Sequence, residues 1–447
     1  MEILIVIIIL ILILVFVCKK FNYELTSPAF IYTAMFIILM IVAFIYKNEW
    51  WSVTGIGLNT MFVLVFGNIS FVMGTLISDN TRLTFSNRIT MNSGNKTSKS
   101  ISDVNTYKHI LFLLFQLFTG ILMYNYMSSL GKGKDFSAIL GTYRNETVAA
   151  SSNLPGYLSN MGALSYVGGI LYASFLAECI IENKKKSVLL VILNLLVSMV
   201  ISCLGGSRGS FISLVVSLIC FTLMKYSNKN NWKKNIPIKI LIISFILIGI
   251  VIFEFKNISE LLGQSQVSKV DLSDYLILYM GAEVKNLDLF LNSYFKRSVI
   301  WGQETFRPII QIISSIIGNK KWASYSLIVP FRYFGGKALG NVYTTYYAFI
   351  RDFGYIGVII LPFIIGFISH KIYKMAKISM KIENHSMIYL IYGVVYYACS
   401  FSYFSNIFFQ LIVSTTMLKY IIFIYVLRIY FLKYNKKIIK NKIKGFI

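Results

Sequence analysis

Of 447 residues, 56% are hydrophobic and only 14% are charged, with a mean hydropathy of +0.68, which excludes an ordinary soluble domain. The formal net charge is +25, an excess that suits either nucleic acid or a membrane protein with basic cytoplasmic loops. The five cysteines lie in or beside apolar runs with no Cys-x-x-Cys pair, so a disulfide framework is not expected.

A membrane span needs roughly 20 apolar residues. In chain order the candidates are 3–17, 28–46, 56–77, 109–127, 161–181, 188–204, 210–224, 236–255, 354–373, 387–405 and 408–432. The first has no basic residue before it and no small-residue cleavage site after it, so it reads as a retained span rather than a signal peptide. Basic clusters follow alternate spans. They are Lys19-Lys20, then Arg82, Arg88, Lys96 and Lys99, then Lys184 to Lys186, then Lys225, Lys229, Lys233 and Lys234, then Lys371, Lys374, Lys377 and Lys381, and finally the lysines from 433 to 444. With eleven spans every cluster falls on one side, which predicts an outside N-terminus and a cytoplasmic C-terminus. No cluster is interleaved with a stacking platform, so no nucleic-acid partner is expected.

Between two of these spans lies Gly205-Gly206-Ser207-Arg208-Gly209. The glycines permit a tight turn, Ser207 suits the N-cap of the next helix, and Arg208 adds a fork of donors to that helix's positive end. Such a break makes a phosphate site at the membrane edge. The same arginine equally suits an interfacial anchor that snorkels to lipid.

Two predicted outer segments are long. Residues 128–160 hold Arg144 and Glu146, and residues 256–341 form the larger loop within a single integral membrane domain, 1–447. In that loop, 272–295 shows helical spacing, and Pro308 opens a second run that Gly318-Asn319 stops. Its aromatic residues suit a membrane interface and also sugar rings. The outer arginines are Arg144, Arg208, Arg297, Arg307, Arg332 and Arg351, and the outer carboxylates include Asp271, Asp274, Glu283, Asp288, Glu304 and Asp352. Clustered arginines suit a phosphate, whereas singly each suits an ion pair. Asp271 and Asp274 share a helical turn, which most often means a solvated face. All three histidines, His109, His370 and His385, map to cytoplasmic ends. There is no Asp-x-Asp or Walker loop, so neither a metal nor another cofactor is expected.

The 205–209 stretch resembles a signature of Wzy-type O-antigen and capsule repeat-unit polymerases. A second stretch, TTYYAFIRDFGYIG at 344–357, leads into a span with Gly366 further along, as in that family. The large outer loop between the two stretches also matches. The resemblance implies an all-α polytopic, GT-C-like, inverting glycosyltransferase that is metal-independent. It would transfer a growing glycan from undecaprenyl pyrophosphate to the non-reducing end of a lipid-linked repeat unit, without nucleotide sugar. Implied partners are those lipid-linked oligosaccharides, membrane lipid, a chain-length-regulating co-polymerase and a flippase. By this resemblance Arg208 and Arg351 bind pyrophosphate or glycan, with Arg208 the catalytic candidate that stabilises the charge of the leaving group. Ser207, Gly209, Arg332, Arg307 and Arg144 are the further substrate-binding candidates. Arg307 and Gly318 fit the Arg-x10-Gly pattern of some members. With no outer histidine, a required base would be a carboxylate, with Asp352 first and Glu283 second. Asp352 equally suits an ion pair or an N-cap. Ligases of the same class carry a histidine in the outer loop, which is missing here. A lipid-linked sugar flippase would show repeated halves, and no internal repeat is visible. A structural membrane subunit is the remaining alternative.

Overall fold

The computed structural model describes residues 1–50, 55–81, 104–130, 135–148, 154–185, 187–204, 208–233, 277–293, 297–319 and 329–432, with isolated positions between 236 and 249 and residue 322. For 47–50 and 144–148 it describes the backbone alone. The helices are α1 (Glu2–Lys20), α2 (Pro28–Trp50), α3 (Leu58–Asn80), α4 (Thr106–Leu130), α5 (Phe136–Val148), α6 (Gly156–Glu182), α7 (Val188–Leu204) and α8 (Arg208–Lys229). They continue with α9 (Ala282–Leu291), α10 (Arg307–Ile317), α11 (Tyr346–Phe353), α12 (Tyr355–Met380), α13 (Met387–Ser400) and α14 (Thr415–Leu432), the last preceded by a π turn at Phe408–Ile412.

Eight of these, α1, α2, α3, α4, α6, α8, α12 and α14, are long and apolar enough to cross a membrane. They carry exposed large apolar side chains such as Leu12, Phe62, Ile121 and Ile356, as a lipid-facing surface requires. The chain is therefore an all-α, multi-pass membrane protein. Of the other predicted spans, 188–204 and 387–405 correspond to the shorter apolar helices α7 and α13, and 236–255 falls almost wholly outside the described residues. Among the described residues the only sheet is a hairpin of β1 (Arg332–Phe334) and β2 (Lys337–Gly340). Gly335 and Gly336, at φ +57° and +79°, make its turn, which needs positive φ at both positions.

The chain packs as two compact units. The first comprises Met1–Thr84, Asn235–Met375 and Val394–Met417, and includes α1 to α3, α9 to α11 and most of α12. Here α3 and α12 meet through glycine. A Cβ on Gly74 would overlap the Phe363 backbone, and one on Gly366 would overlap the Phe71 carbonyl. Close approach through small residues is how membrane helices gain contact without a hydrophobic driving force. The ends of α3 differ sharply. At its start Asp288 of α9 accepts from Gly57 N and Thr60 Oγ1, both at 2.7 Å. At its end Lys374 donates to Asp79 O and Thr81 O, and His370 Nε2 lies 3.3 Å from Asp79. Helix α9 of the large loop thus sits at one end, and Lys374 of α12 at the other.

The second unit comprises Phe85–Lys234, Ala376–Gly393 and Leu418–Ile447. Its centre is α6, whose Gly169 leaves room for Ser198 of α7 and Leu214 of α8. Buried polar pairs tie it together: Gln116 to Ser198 (2.6 Å), Tyr166 to Ser213 (2.7 Å), Ser174 to His385 (2.6 Å) and His385 to Glu178 (2.6 Å). The first two pairs join α4 to α7 and α6 to α8, and the last two hold the turn at His385 against α6. Helix α7 (to Leu204) and α8 (from Arg208) flank the predicted break, whose Gly205, Gly206 and Ser207 lie outside the described residues.

Candidate functional site

The site is built around the corner between α11 and α12. Gly354 makes that corner at φ +67°, ψ −159°, a region that only glycine occupies without strain. A Cβ on Gly357 would press on the Phe349 carbonyl at 2.6 Å, so the first turn of α12 lies directly on α11. Both glycines of the 344–357 stretch thus have a steric cause. Tyr346 plugs α11 into the spans. Its hydroxyl pairs with Tyr32 of α2 at 3.0 Å, and its ring fills the space beside Gly67 of α3.

From this anchored helix Asp352 reaches the 297–306 segment. One carboxylate oxygen accepts from Thr305 N at 2.7 Å and Glu304 N at 3.0 Å, and the other from Glu304 N at 3.2 Å. Ser298 N donates to Arg351 O at 3.0 Å, and Asn406 Nδ2 donates to Thr305 O at 2.9 Å. These bonds fix Glu304, which is 6% exposed, between two arginines. Arg351 Nη1 lies 3.2 Å from its Oε1, and Arg307 Nη2 lies 3.3 Å from its Oε2. Arg351 also donates to Tyr347 Oη at 2.6 Å. Arg332 of β1 donates to Tyr343 Oη at 2.9 Å, and Tyr343 and Tyr347 pack with ring centroids 4.5 Å apart.

Glu304, Arg307, Tyr343, Tyr347, Asn406 and Gln410 are among the walls of a pocket of about 220 Å³. That is smaller than a drug-sized site. A larger groove of about 360 Å³ along α1 and α3 has only apolar walls, with no group to bind or transform a polar ligand. Burial pushes the Glu304 carboxyl above its usual range; Arg351 and Arg307 oppose the shift and Asp352 adds to it. Burial pushes the Tyr347 hydroxyl up to about 12, against Arg351, so the phenol stays neutral. The pocket therefore has the Arg307 guanidinium for an anion, the Glu304 carboxylate for a proton and the Tyr343 and Tyr347 rings for an apolar face, with Arg351 paired to Glu304 beside it.

The structure brings Arg307, Arg351 and Asp352 together and joins Arg332 to them through Tyr343. It places Asp352 as the anchor of the 297–306 segment, with its acceptors engaged by amides. Glu283 is elsewhere. It lies fully buried in the first turn of α9, where neither carboxylate oxygen meets hydrogen-bond geometry, and Gly281 before it packs on Val42 and Ala43 of α2. Burial holds its carboxyl well above the usual range, with the neighbouring N–H groups of Glu283 and Gly281 opposing only in part. Arg208 and Gly209 open α8 in the second unit. Ser207, Asp271, Asp274 and the Arg144 side chain lie outside the described residues. Two participants were not singled out from sequence. Glu304 sits three residues before Arg307, a spacing that could have been read as a pair. Asn406 is 101 residues from its partner Thr305, and no local signal connects them. No protein-family model, curated protein or solved structure matches this chain.

Proposed function

We propose that the chain polymerises lipid-linked oligosaccharide repeat units at the outer face of the cytoplasmic membrane. In this reading it has eleven spans, an outside N-terminus, a cytoplasmic C-terminus and a GT-C-like arrangement. The observation that carries the reading is the pocket walled by Glu304 and Arg307, whose Glu304 also pairs with Arg351 where α11 turns into the spanning α12. It supports transfer of a glycan from a pyrophosphate carrier, because that chemistry needs two things of a protein. Charge must be stabilised on the departing phosphate oxygen, and the attacking hydroxyl must lose a proton.

In the proposed step an acceptor sugar oxygen attacks the anomeric carbon of the donor glycan. The bond from that carbon to the phosphate oxygen breaks with inversion, and its electron pair leaves with the pyrophosphate. Arg351 and Arg307 donate to that leaving group in place of a metal ion. Glu304 takes the acceptor proton as its contacts pass from the arginines to the substrate. This assigns the base to Glu304 rather than Asp352 or Glu283. Asp352 positions the segment that carries it, and Arg332 braces Tyr343. The resemblance separately assigns Arg208 to phosphate binding.

The test is polymer formation from purified lipid-linked repeat units by protein in nanodiscs. Arg351→Ala should lose about 2–4 kcal/mol of transition-state stabilisation. Arg351→Lys should remain strongly impaired, because an ammonium does not reproduce a bidentate fork. Near-normal polymer from Arg351→Ala at equal protein would remove the pocket from the reaction.

A further inference from the structure

Helix α10 has eleven residues, Arg307–Ile317. At 1.5 Å per residue it is about 16 Å long, far short of a 30 Å hydrocarbon core. Its sequence nevertheless divides cleanly into two faces. Ile309, Ile312, Ile313 and Ile316 fall at i, i+3, i+4 and i+7 on one side, and Arg307, Gln311, Ser314 and Ser315 fall on the other. In a soluble protein the apolar side would face the core. Here the face is partly turned outward: Ile316 is 78% and Ile312 36% exposed, Ile309 and Ile313 are half-buried, and the adjoining Ile317 is 63% exposed, while Ser314 is buried and donates to Asn319 O at 2.7 Å. Gly318 at φ +73° ends the helix, so this face is bounded by a built C-cap.

The height of the helix is fixed independently. Thr305, two residues before it, donates to Asp352 at the end of α11, and α12 enters the membrane-spanning register at Tyr355. Helix α10 thus starts level with the first turn of a span. Exposed aromatic residues occupy the same region. Trp301 is 80% exposed with its ring edge-on to Phe353 at 4.8 Å, and Phe331 and Tyr333 pair with centroids 5.0 Å apart. Tryptophan and tyrosine concentrate at the headgroup level, and Lys320 and Lys321 follow the helix in sequence.

We propose that α10 lies in the plane of the membrane interface, with Ile312 and Ile316 in the acyl boundary and Gln311 and Ser315 toward water. The occupant of its apolar face is the lipid bilayer that surrounds the chain's own spans. The first residue of α10, Arg307, is also a wall of the pocket. The pocket therefore opens at headgroup height, and its ligand is an anion whose apolar tail stays in the bilayer. That last step rests on the function proposed above; the position of α10 does not.

Spin labels at Ser315→Cys and Ile316→Cys, each in a cysteine-free full-length chain in phosphatidylglycerol-containing nanodiscs, test the placement by power-saturation EPR. Oxygen partitions into lipid, and a neutral nickel chelate stays in water. The label at 316 should be several-fold more accessible to oxygen than to nickel, and the label at 315 should show the reverse. Nickel dominance at both positions means a water-exposed helix and overturns the proposal. Shielding of 316 from both reagents means a protein partner or a second copy covers it, and also overturns it. In a chain with its native cysteines, brominated lipid should quench a fraction of tryptophan fluorescence that disappears in Trp301→Phe; no such fraction contradicts the placement. Because neither readout uses turnover, an α10 that sits in lipid on a chain that makes no polymer separates the two readings.

Discussion

Replacing Asp352 with asparagine separates an anchor from a base. Its carboxylate accepts from Thr305 N at 2.7 Å and Glu304 N at 3.0 Å, and it is 5% exposed. An asparagine can keep one oxygen at the position both amides share, but without the charge, and it places an NH2 group about 3.2 Å from Glu304 N, where donor meets donor. A hydrogen bond to a charged group is worth about 1.5–3 kcal/mol against about 0.5–1.5 kcal/mol for a neutral one. Two bonds weakened by about 1–1.5 kcal/mol each, with the facing donors added, give an expected local loss of about 2–4 kcal/mol. At 1.4 kcal/mol per factor of ten, amide exchange at Glu304 and Thr305 should speed up by roughly 30- to 1,000-fold. Hydrogen exchange read by mass spectrometry over the 297–306 segment measures this directly. Polymer formation should fall in parallel, since Glu304 and Arg307 lose their placement. Unchanged exchange protection together with abolished turnover would refute the anchoring argument and return the base to Asp352.

Further outcomes follow from the same geometry. Glu283 binds its proton more tightly in the folded chain than in the unfolded one, so its contribution to stability is complete below the ordinary carboxylate range and is lost as pH rises through the raised folded pKa. Glu283→Gln should therefore raise the thermal midpoint in detergent at pH 8.5, by about 1–2 kcal/mol of stability, and change it little at low pH; an equal shift at both pH values would contradict this. Gly354→Ala forces a side chain into φ +67° and brings its Cβ to 3.0 Å from Arg297, so it should destabilise the corner by about 1–3 kcal/mol, read as a lower thermal midpoint. If Glu304 is the base, the acid limb of the pH–rate profile should lie above the ordinary carboxylate range and disappear with the residual activity of Glu304→Gln; an unchanged limb in that variant would exclude the role.

The spans were legible because a run of about 20 apolar residues has few physical alternatives. The start and stop of α10 were legible from Pro308 and Gly318, since proline presets a helix's first turn and glycine tolerates the left-handed cap. The hairpin escaped notice because Gly335-Gly336 sits among aromatic residues that also fit an interface. The 344–357 stretch drew attention as a resemblance, and the structure gives it a cause, a helix corner held by Gly354 and Gly357. The role of Asp352 was not legible. Its partners Glu304 and Thr305 lie 48 and 47 residues away, and a carboxylate's acceptors cannot be assigned before the fold brings the donors in. Glu283 looked like a catalytic base by residue type, but its carboxylate is buried at its own helix start, outside the pocket.

The central claim is that this chain itself joins lipid-linked repeat units through the Arg307–Glu304–Arg351 pocket. The most direct measurement gives purified protein in nanodiscs undecaprenyl-pyrophosphate-linked repeat units alone, with a chelator and without nucleotide sugar. Mass spectrometry should detect products lengthened by whole repeat units and one undecaprenyl pyrophosphate released per bond formed, with both lost in Arg351→Ala. Unlengthened substrate in the presence of folded protein, or a strict requirement for nucleotide sugar or divalent metal, would contradict the account.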